Sequence, residues 1–90
     1  MQDNLITDLG VAQKLLNTGN LKKAESVCRR IIRETPGQPD ALNMLAVIGI
    51  RRGETRRAIR YLKEAVARRP QDAVYRYNMG LAMLKTGNLP

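Results

Sequence analysis

An all-α fold built from repeated antiparallel helix pairs is predicted by three features of this 90-residue chain. First, the sequence matches itself at a shift of 34 residues, which pairs Ala12 with Ala46, Gly19 with Gly53, Ala24 with Ala58 and Pro36 with Pro70. A second shift pairs Gly53 with Gly87 and Ala46 with Gly80, and Thr18-Gly19-Asn20-Leu21 recurs as Thr86-Gly87-Asn88-Leu89. The identities fall on small residues and breakers. A helical hairpin needs small residues at close crossings, Gly where the chain turns, and Pro where the second helix stops. Second, apolar residues recur at helical spacing throughout. Third, aromatic content is 3% with no Phe or Trp, while the helix formers Ala, Leu, Arg and Lys dominate, which disfavours a sheet.

Five helices follow in order. The first spans about 5–17, with Leu9, Ala12, Leu15 and Leu16 on one stripe before the Thr18-Gly19 turn. The second, 21–34, aligns Ala24, Val27, Cys28 and Ile31 and stops before Pro36. The third, 40–52, opens with Asp40 and carries Leu42, Leu45, Ala46, Gly49 and Ile50. Glu54 opens the fourth, 55–68, with Ala58, Tyr61, Leu62 and Ala65, and Asp72 opens the fifth, 73–86. Acids at these starts, and Arg33, Arg51, Arg52, Arg68 and Arg69 near helix ends, suit the macrodipole. The chain reads as one domain, 1–90, with repeats over about 5–38 and 39–72 and a partial one over 73–90, as a piece of a longer protein.

Composition excludes much chemistry. With no His and a single cysteine, Cys28, the chain has no Cys/His zinc site, no internal disulfide and no His-based triad. No catalytic, cofactor-binding or metal-binding residue is expected. Cys28 lies on an apolar stripe and reads as a small core hydrophobe. The opening residues lack a basic run followed by an apolar stretch, so no signal peptide is expected, and no window approaches a membrane span. One unpaired Cys fits a reducing compartment, so the reading is cytoplasmic. Sixteen Lys and Arg against eight Asp and Glu give a net charge of +8, which raises acidic protein, nucleic acid and anionic membrane as partners without choosing among them.

These residues resemble the tetratricopeptide repeat family. The resemblance runs through Val11, Ala12, Leu15, Gly19, Ala24, Cys28, Ile31 and Pro36, then Leu42, Leu45, Ala46, Gly53, Ala58, Leu62, Ala65 and Pro70, then Met79, Gly80, Met83 and Gly87. Departures are the missing aromatics: Asp8, Leu42 and Arg76 stand where Trp is common, and Cys28 and Leu62 where Phe is common. Gly49 replaces a bulky inter-helix residue. A narrower likeness is to bacterial arrays that precede sulfotransferase or glycosyltransferase domains. It rests on Cys28-Arg29-Arg30, on Pro39-Asp40-Ala41-Leu42 and on the segment through Tyr77, Asn78 and Gly80.

The resemblance implies a right-handed solenoid of two full repeats and one opening helix, and a non-catalytic module whose first helices line a concave groove for a peptide or helix of a protein partner. Its groove positions here are Leu9, Gln13, Leu16 and Asn17, then Asn43, Val47, Ile50 and Arg51, then Tyr77, Asn78, Leu81 and Lys85. Amides bind ligand backbone and apolar residues hold anchors. The competing reading of the same residues is ordinary solvation and inter-repeat packing. A carboxylate clamp for heat-shock chaperones is not expected, because Leu9, Gln13, Met44, Val74 and Asn78 occupy its positions and Asn78 alone has matching chemistry. The alternative function is a substrate-docking or regulatory region of a transferase with its catalytic domain downstream.

A third reading, ranked below both, is a polyanion-binding face. Lys22, Lys23, Arg29, Arg30, Arg33, Arg56, Arg57, Arg60, Lys63, Arg68 and Arg69 fall on the second helices. Few aromatics interleave for base stacking, and Glu25, Glu34 and Glu64 sit within pairing distance, so a solvated face is expected and nucleic acid is not. Finally, the last helix lacks a hairpin mate. Its stripe of Tyr75, Met79, Leu81, Ala82, Met83 and Leu84 is expected to stay uncovered and to drive homodimerisation of the isolated chain.

Overall fold

A computed structural model describes residues 2–87, with side chains described from residue 4 onward. Five helices follow one another: α1 (Gln2–Asn17), α2 (Leu21–Glu34), α3 (Pro39–Arg51), α4 (Thr55–Arg68) and α5 (Ala73–Thr86). There is no strand among the described residues. The bounds of α2, α4 and α5 coincide with those read from the sequence. α1 starts earlier than expected, because its backbone continues through polar residues 2–4, which apolar spacing does not mark. α3 starts one residue earlier, at Pro39, whose fixed φ and missing N–H suit a first helical position.

The 34-residue period is carried by hydrogen bonds as well as by residue types. After α1, Asn20 N–H donates to the Leu15 carbonyl (2.8 Å) and Gly19 N–H to that of Leu16 (3.1 Å). After α3, Glu54 N–H donates to Gly49 (2.7 Å) and Gly53 N–H to Ile50 (3.2 Å). Both are glycine-terminated helix ends, with Gly19 at φ +82° and Gly53 at +81°, a left-handed conformation that other residues adopt at a cost. Gly87 repeats it at φ +73°; Asn88, Leu89 and Pro90, which complete the expected turn, lie outside the described residues. The other connections match likewise: Thr35 and Arg69 donate to Ile31 and Ala65, and Gln38 and Asp72 to Thr35 and Arg69.

Gln38 and Asp72 then cap the next helices. Gln38 Oε1 accepts from Ala41 N–H (2.9 Å), and Asp72 Oδ1 accepts from Val74 (2.9 Å) and Tyr75 (3.1 Å). Glu54 stands at the start of α4 but makes no capping bond with its side chain.

Each helix packs on its sequence neighbour. In addition α1 touches α3 and α3 touches α5, whereas the backbones of α2 and α4 stay apart among the described residues, with Tyr61 of α4 reaching the core on the α2 side. The first helices therefore form a continuous row, and the second helices splay apart on the opposite side. The resulting body measures 40 × 26 × 19 Å. α3 is enclosed on most sides, with Ala41, Leu42, Met44, Leu45, Ala46, Ile48 and Gly49 all buried.

The core has three clusters. Ala12, Leu16, Ala24, Cys28, Met44, Leu45 and Ile48 join the first hairpin to α3; Ala46, Ala58, Leu62 and Ala82 join α3, α4 and α5; Leu42, Ala65 and Tyr75 close the far end. Cys28 is fully buried in the first cluster. Burial, and secondarily the nearby Glu25 carboxylate, push its thiol up to about 11, so it packs rather than reacts. Gly49 has a steric reason. A Cβ there would stand 3.1 Å from the Glu54 carbonyl oxygen and 3.4 Å from Ala58 Cβ, so its absence lets α3 and α4 cross closely.

Candidate functional site

The row of first helices presents most of the residues expected in the groove, in three strips. From α1, Gln13 and Asn17 are exposed and bonded to each other, Gln13 Nε2 donating to Asn17 Oδ1 at 2.9 Å. Leu9 is half-buried against the first core cluster. Leu16 is a correction. At 3% exposure it is core, because the stacking of α3 on α1 covers it.

From α3, Asn43, Val47 and Ile50 are half-buried. Asn43 Oδ1 accepts from Asn78 Nδ2 of α5 at 2.9 Å, so two expected ligand-binding amides are joined across neighbouring repeats. Arg51 is exposed, yet its Nη1 donates to the Leu16 carbonyl at 3.0 Å. It is a second donor to an end carbonyl of α1 that already accepts from Gly19 N–H, and so ties the first repeat to the second.

α5 supplies three of the five exposed large apolar side chains among the described residues. Val74 (59% exposed), Tyr77 (70%) and Leu84 (58%) recur with half-buried Leu81 at a spacing that puts all four on one stripe. Asn78 and exposed Lys85 flank it. Ile6 of α1, also 70% exposed, lies one repeat-pair away in register from Val74. Ile6 and Val74 were not among the expected groove residues. The 34-residue shift would have found both, since it maps Ile6 to Asp40 and Val74, and Leu9 to Asn43 and Tyr77.

The stripe expected to drive self-association divides between two faces. Tyr75 and Ala82 are buried, and Met79 packs on the second core cluster. Spaced by four and three residues, they form the side of α5 that faces α3 and α4, so the preceding hairpin covers them. Leu81 and Met83 are half-buried, and Leu84 alone of the six is exposed. Tyr75 anchors a polar cluster as well. Its hydroxyl donates to Asp40 Oδ1 of α3, and Arg69 Nη1 reaches both Asp40 Oδ1 (3.3 Å) and the Tyr75 oxygen (3.2 Å). Burial, then the bond to the Asp40 carboxylate, push the phenol well above its usual range.

The second helices carry most of the charge pairs. Arg29 and Arg52 both bond Glu25, at 2.9 and 2.7 Å, and together they hold its carboxyl below the usual carboxylate range, the Arg52 bond contributing most. Arg30 pairs with Asp8 at 2.9 Å, and Arg68 lies 3.8 Å from Glu64. Glu34, expected among the cations, makes no ion pair among the described residues. Where α2 and α4 diverge, a shallow cleft is lined by Arg29, Ile32, Arg33, Leu42, Leu45 and Tyr61.

This architecture agrees with comparison to known sequences. The family profile described as "Tetratricopeptide repeat" matches residues 43–90, more than half of the chain. The chain belongs to the tetratricopeptide repeat family. A TPR repeat-containing protein of Pseudomonas aeruginosa is 36% identical to this tetratricopeptide repeat chain over 55 residues, which is 61% of the chain and 22% of that relative. The chain thus spans about a fifth of the length of the curated relative it matches. Tetratricopeptide repeats generally mediate protein–protein interaction. No described helix is long and apolar enough to cross a membrane.

Proposed function

We propose that this tetratricopeptide repeat chain is a non-catalytic interaction module, and that the row formed by α1, α3 and α5 receives a peptide or helix of a protein partner. The supporting observation is the apolar stripe of exposed Val74, Tyr77 and Leu84 with half-buried Leu81, beside the Asn43–Asn78 pair. The paired amides leave the Asn43 donors and the Asn78 carbonyl for a ligand's backbone. Tyr77 and Leu84 offer anchors for its side chains, with Val47 and Ile50 beneath and Arg51 and Lys85 at the end nearest the glycine turns. Binding needs little rearrangement, since the helices are already held by packing.

The transferase-docking alternative gains nothing specific from the geometry. Of the residues that suggested it, Cys28 is core and Asn78 bridges two repeats, so packing accounts for both.

The test uses peptides selected against the chain from a random displayed library. Tyr77→Ala should weaken the selected peptides by about tenfold or more, the loss typical of an aromatic hot spot, with an unchanged thermal midpoint. If affinity survives both Tyr77→Ala and Leu84→Ala, the row of first helices is not the binding surface.

A further inference from the structure

The repeat register that relates the hairpins also relates the places where one repeat meets the next. At the first such place, one carboxylate, Glu25, neutralises Arg29 and Arg52 together. One period on, these three positions are Ile59, Lys63 and Thr86. The acid is missing there. In its stead lies an open cavity of about 680 Å³ between α4 and the end of α5, with Arg56, Arg57, Arg60 and Lys63 around Ile59, and Thr86 on the far wall.

No carboxylate is among the described lining residues. Of the two acids adjoining or within α4, Glu54 stands 3.9 Å from Arg57 in an exposed pair, and Glu64 faces Arg68 at 3.8 Å. Exposed pairs at such distances neutralise little. Arg56, Arg60 and Lys63 share one side of α4 and, at ~1.5 Å per residue, spread over ~10 Å. Arg56 and Arg57 also sit in the first turn of α4, which has no acid, where the helix dipole adds to their positive field.

Four cations around a half-buried isoleucine have a definite complement: carboxylates along one side of a segment, with an apolar side chain among them. Nucleic acid fits less well. No aromatic ring is among the described lining residues to stack a base, and an apolar centre gains nothing from phosphate. We infer that this face is a second interaction surface, separate from the row of first helices, and that it takes an acidic amphipathic segment of a protein partner. The partner's carboxylates meet Arg56, Arg57, Arg60 and Lys63, and its apolar side chain rests on Ile59.

Fluorescence anisotropy with three labelled probes tests this. One is a helical peptide with Leu on one side flanked by Glu, another is an isomer with the same residues scattered around the helix, and the third is a short oligodeoxythymidylate. The amphipathic peptide should bind the chain more tightly than its isomer, and more weakly as salt rises. Arg56→Glu with Arg60→Glu should weaken it by about tenfold or more, while Lys22→Glu with Lys23→Glu changes it by less than about threefold. Both Arg are exposed, and a thermal melt verifies that the reversed chain is folded; Arg60→Gln, which removes charge without reversing it, should give an intermediate loss. Ile59→Ser should erase the preference between the two isomers. Equal binding of the isomers, tighter binding of the oligonucleotide, no binding of the peptide, or undiminished binding to the doubly reversed chain would each overturn the proposal.

Discussion

The junction where α3 joins the first hairpin and the junction where α5 joins the second hold the same place in successive repeats, yet they are locked at opposite ends. At the first, Arg52 bonds Glu25 and Arg51 bonds the Leu16 carbonyl, both near the glycine turns. At the second, Tyr75 and Arg69 converge on Asp40 near the proline-side connection, and Asn78 bonds Asn43 partway along. The period dictates backbone and small residues, because those set how closely helices approach. It leaves the choice of polar lock to residues that do not repeat. The glycine-turn end of the second junction, where the first junction keeps its acid, is the basic cavity.

The largest break in this comparison should come from Tyr75. Tyr75→Ala removes a buried aromatic from the far-end cluster and should cost about 3–5 kcal/mol, read by urea denaturation. Amide exchange should rise more in α5 than in α1. Tyr75→Phe should cost less and change the pH profile. The folded-state pKa of the phenol is raised, so its stabilising contribution is present below about pH 10 and is lost as pH rises further. That alkaline loss should vanish in Tyr75→Phe. A destabilised profile with the same alkaline slope would show that another group titrates.

The two hairpins differ at their crossings as well. Leu15 in the first corresponds to Gly49 in the second. Gly49→Leu writes the residue of one hairpin into the other, and should nevertheless destabilise by about 1–3 kcal/mol through overpacking against α4. Ala58→Leu should do the same from the facing side. Neutral thermal melts for both would mean that α3 and α4 can separate at no cost.

Glu25 gives a smaller effect with a defined sign. Its folded-state pKa is lowered, so its stabilisation is present above the usual carboxylate range and is lost as pH falls through the depressed value. Glu25→Gln should therefore cost about 1 kcal/mol or less near neutral pH, with the gap to the parent chain closing on acidification. A gap that persists at low pH would mean that packing, not charge, distinguishes the two side chains.

The helices were legible in the sequence because Gly and Pro act through the backbone of their own segment. Gly19, Gly53, Pro36 and Pro70 punctuate the chain wherever the hairpins end up, and the bounds of α2, α4 and α5 follow directly. The first helices as a proposed binding row came from the family resemblance; the structure puts Leu16 in the core and leaves the other named residues half-buried or exposed. Local spacing could not assign α5's two faces. Tyr75, Met79 and Ala82 pack inward while Leu81 and Leu84 turn another way, and the division depends on how α5 seats on α3. Partners about one repeat apart, such as Arg51 with the Leu16 carbonyl and Asn78 with Asn43, depend on the same stacking. Leu16 itself looks like a groove residue until α3 covers it.

The smallest expected effect is also the most direct test of whether the two junctions are superposable. Ile59→Glu and Thr86→Arg together rebuild, in the second junction, the acid and one of the two arginines of the first. Either change alone should be neutral or costly, since Ile59 packs on the second core cluster and a lone arginine adds to an already basic face. The informative quantity is the coupling obtained from both single variants and the pair. If the junctions share geometry, the coupling should be favourable by about 0.2–1 kcal/mol at low salt, the range for exposed ion pairs, and should shrink at high salt. Retaining Lys63 leaves room for the new carboxylate to bridge two cations, as Glu25 does. A coupling of zero at low salt would mean that α5 sits on α4 in a different register from α3 on α2, so the missing acid would be a consequence of altered packing and not the mark of an open cationic face.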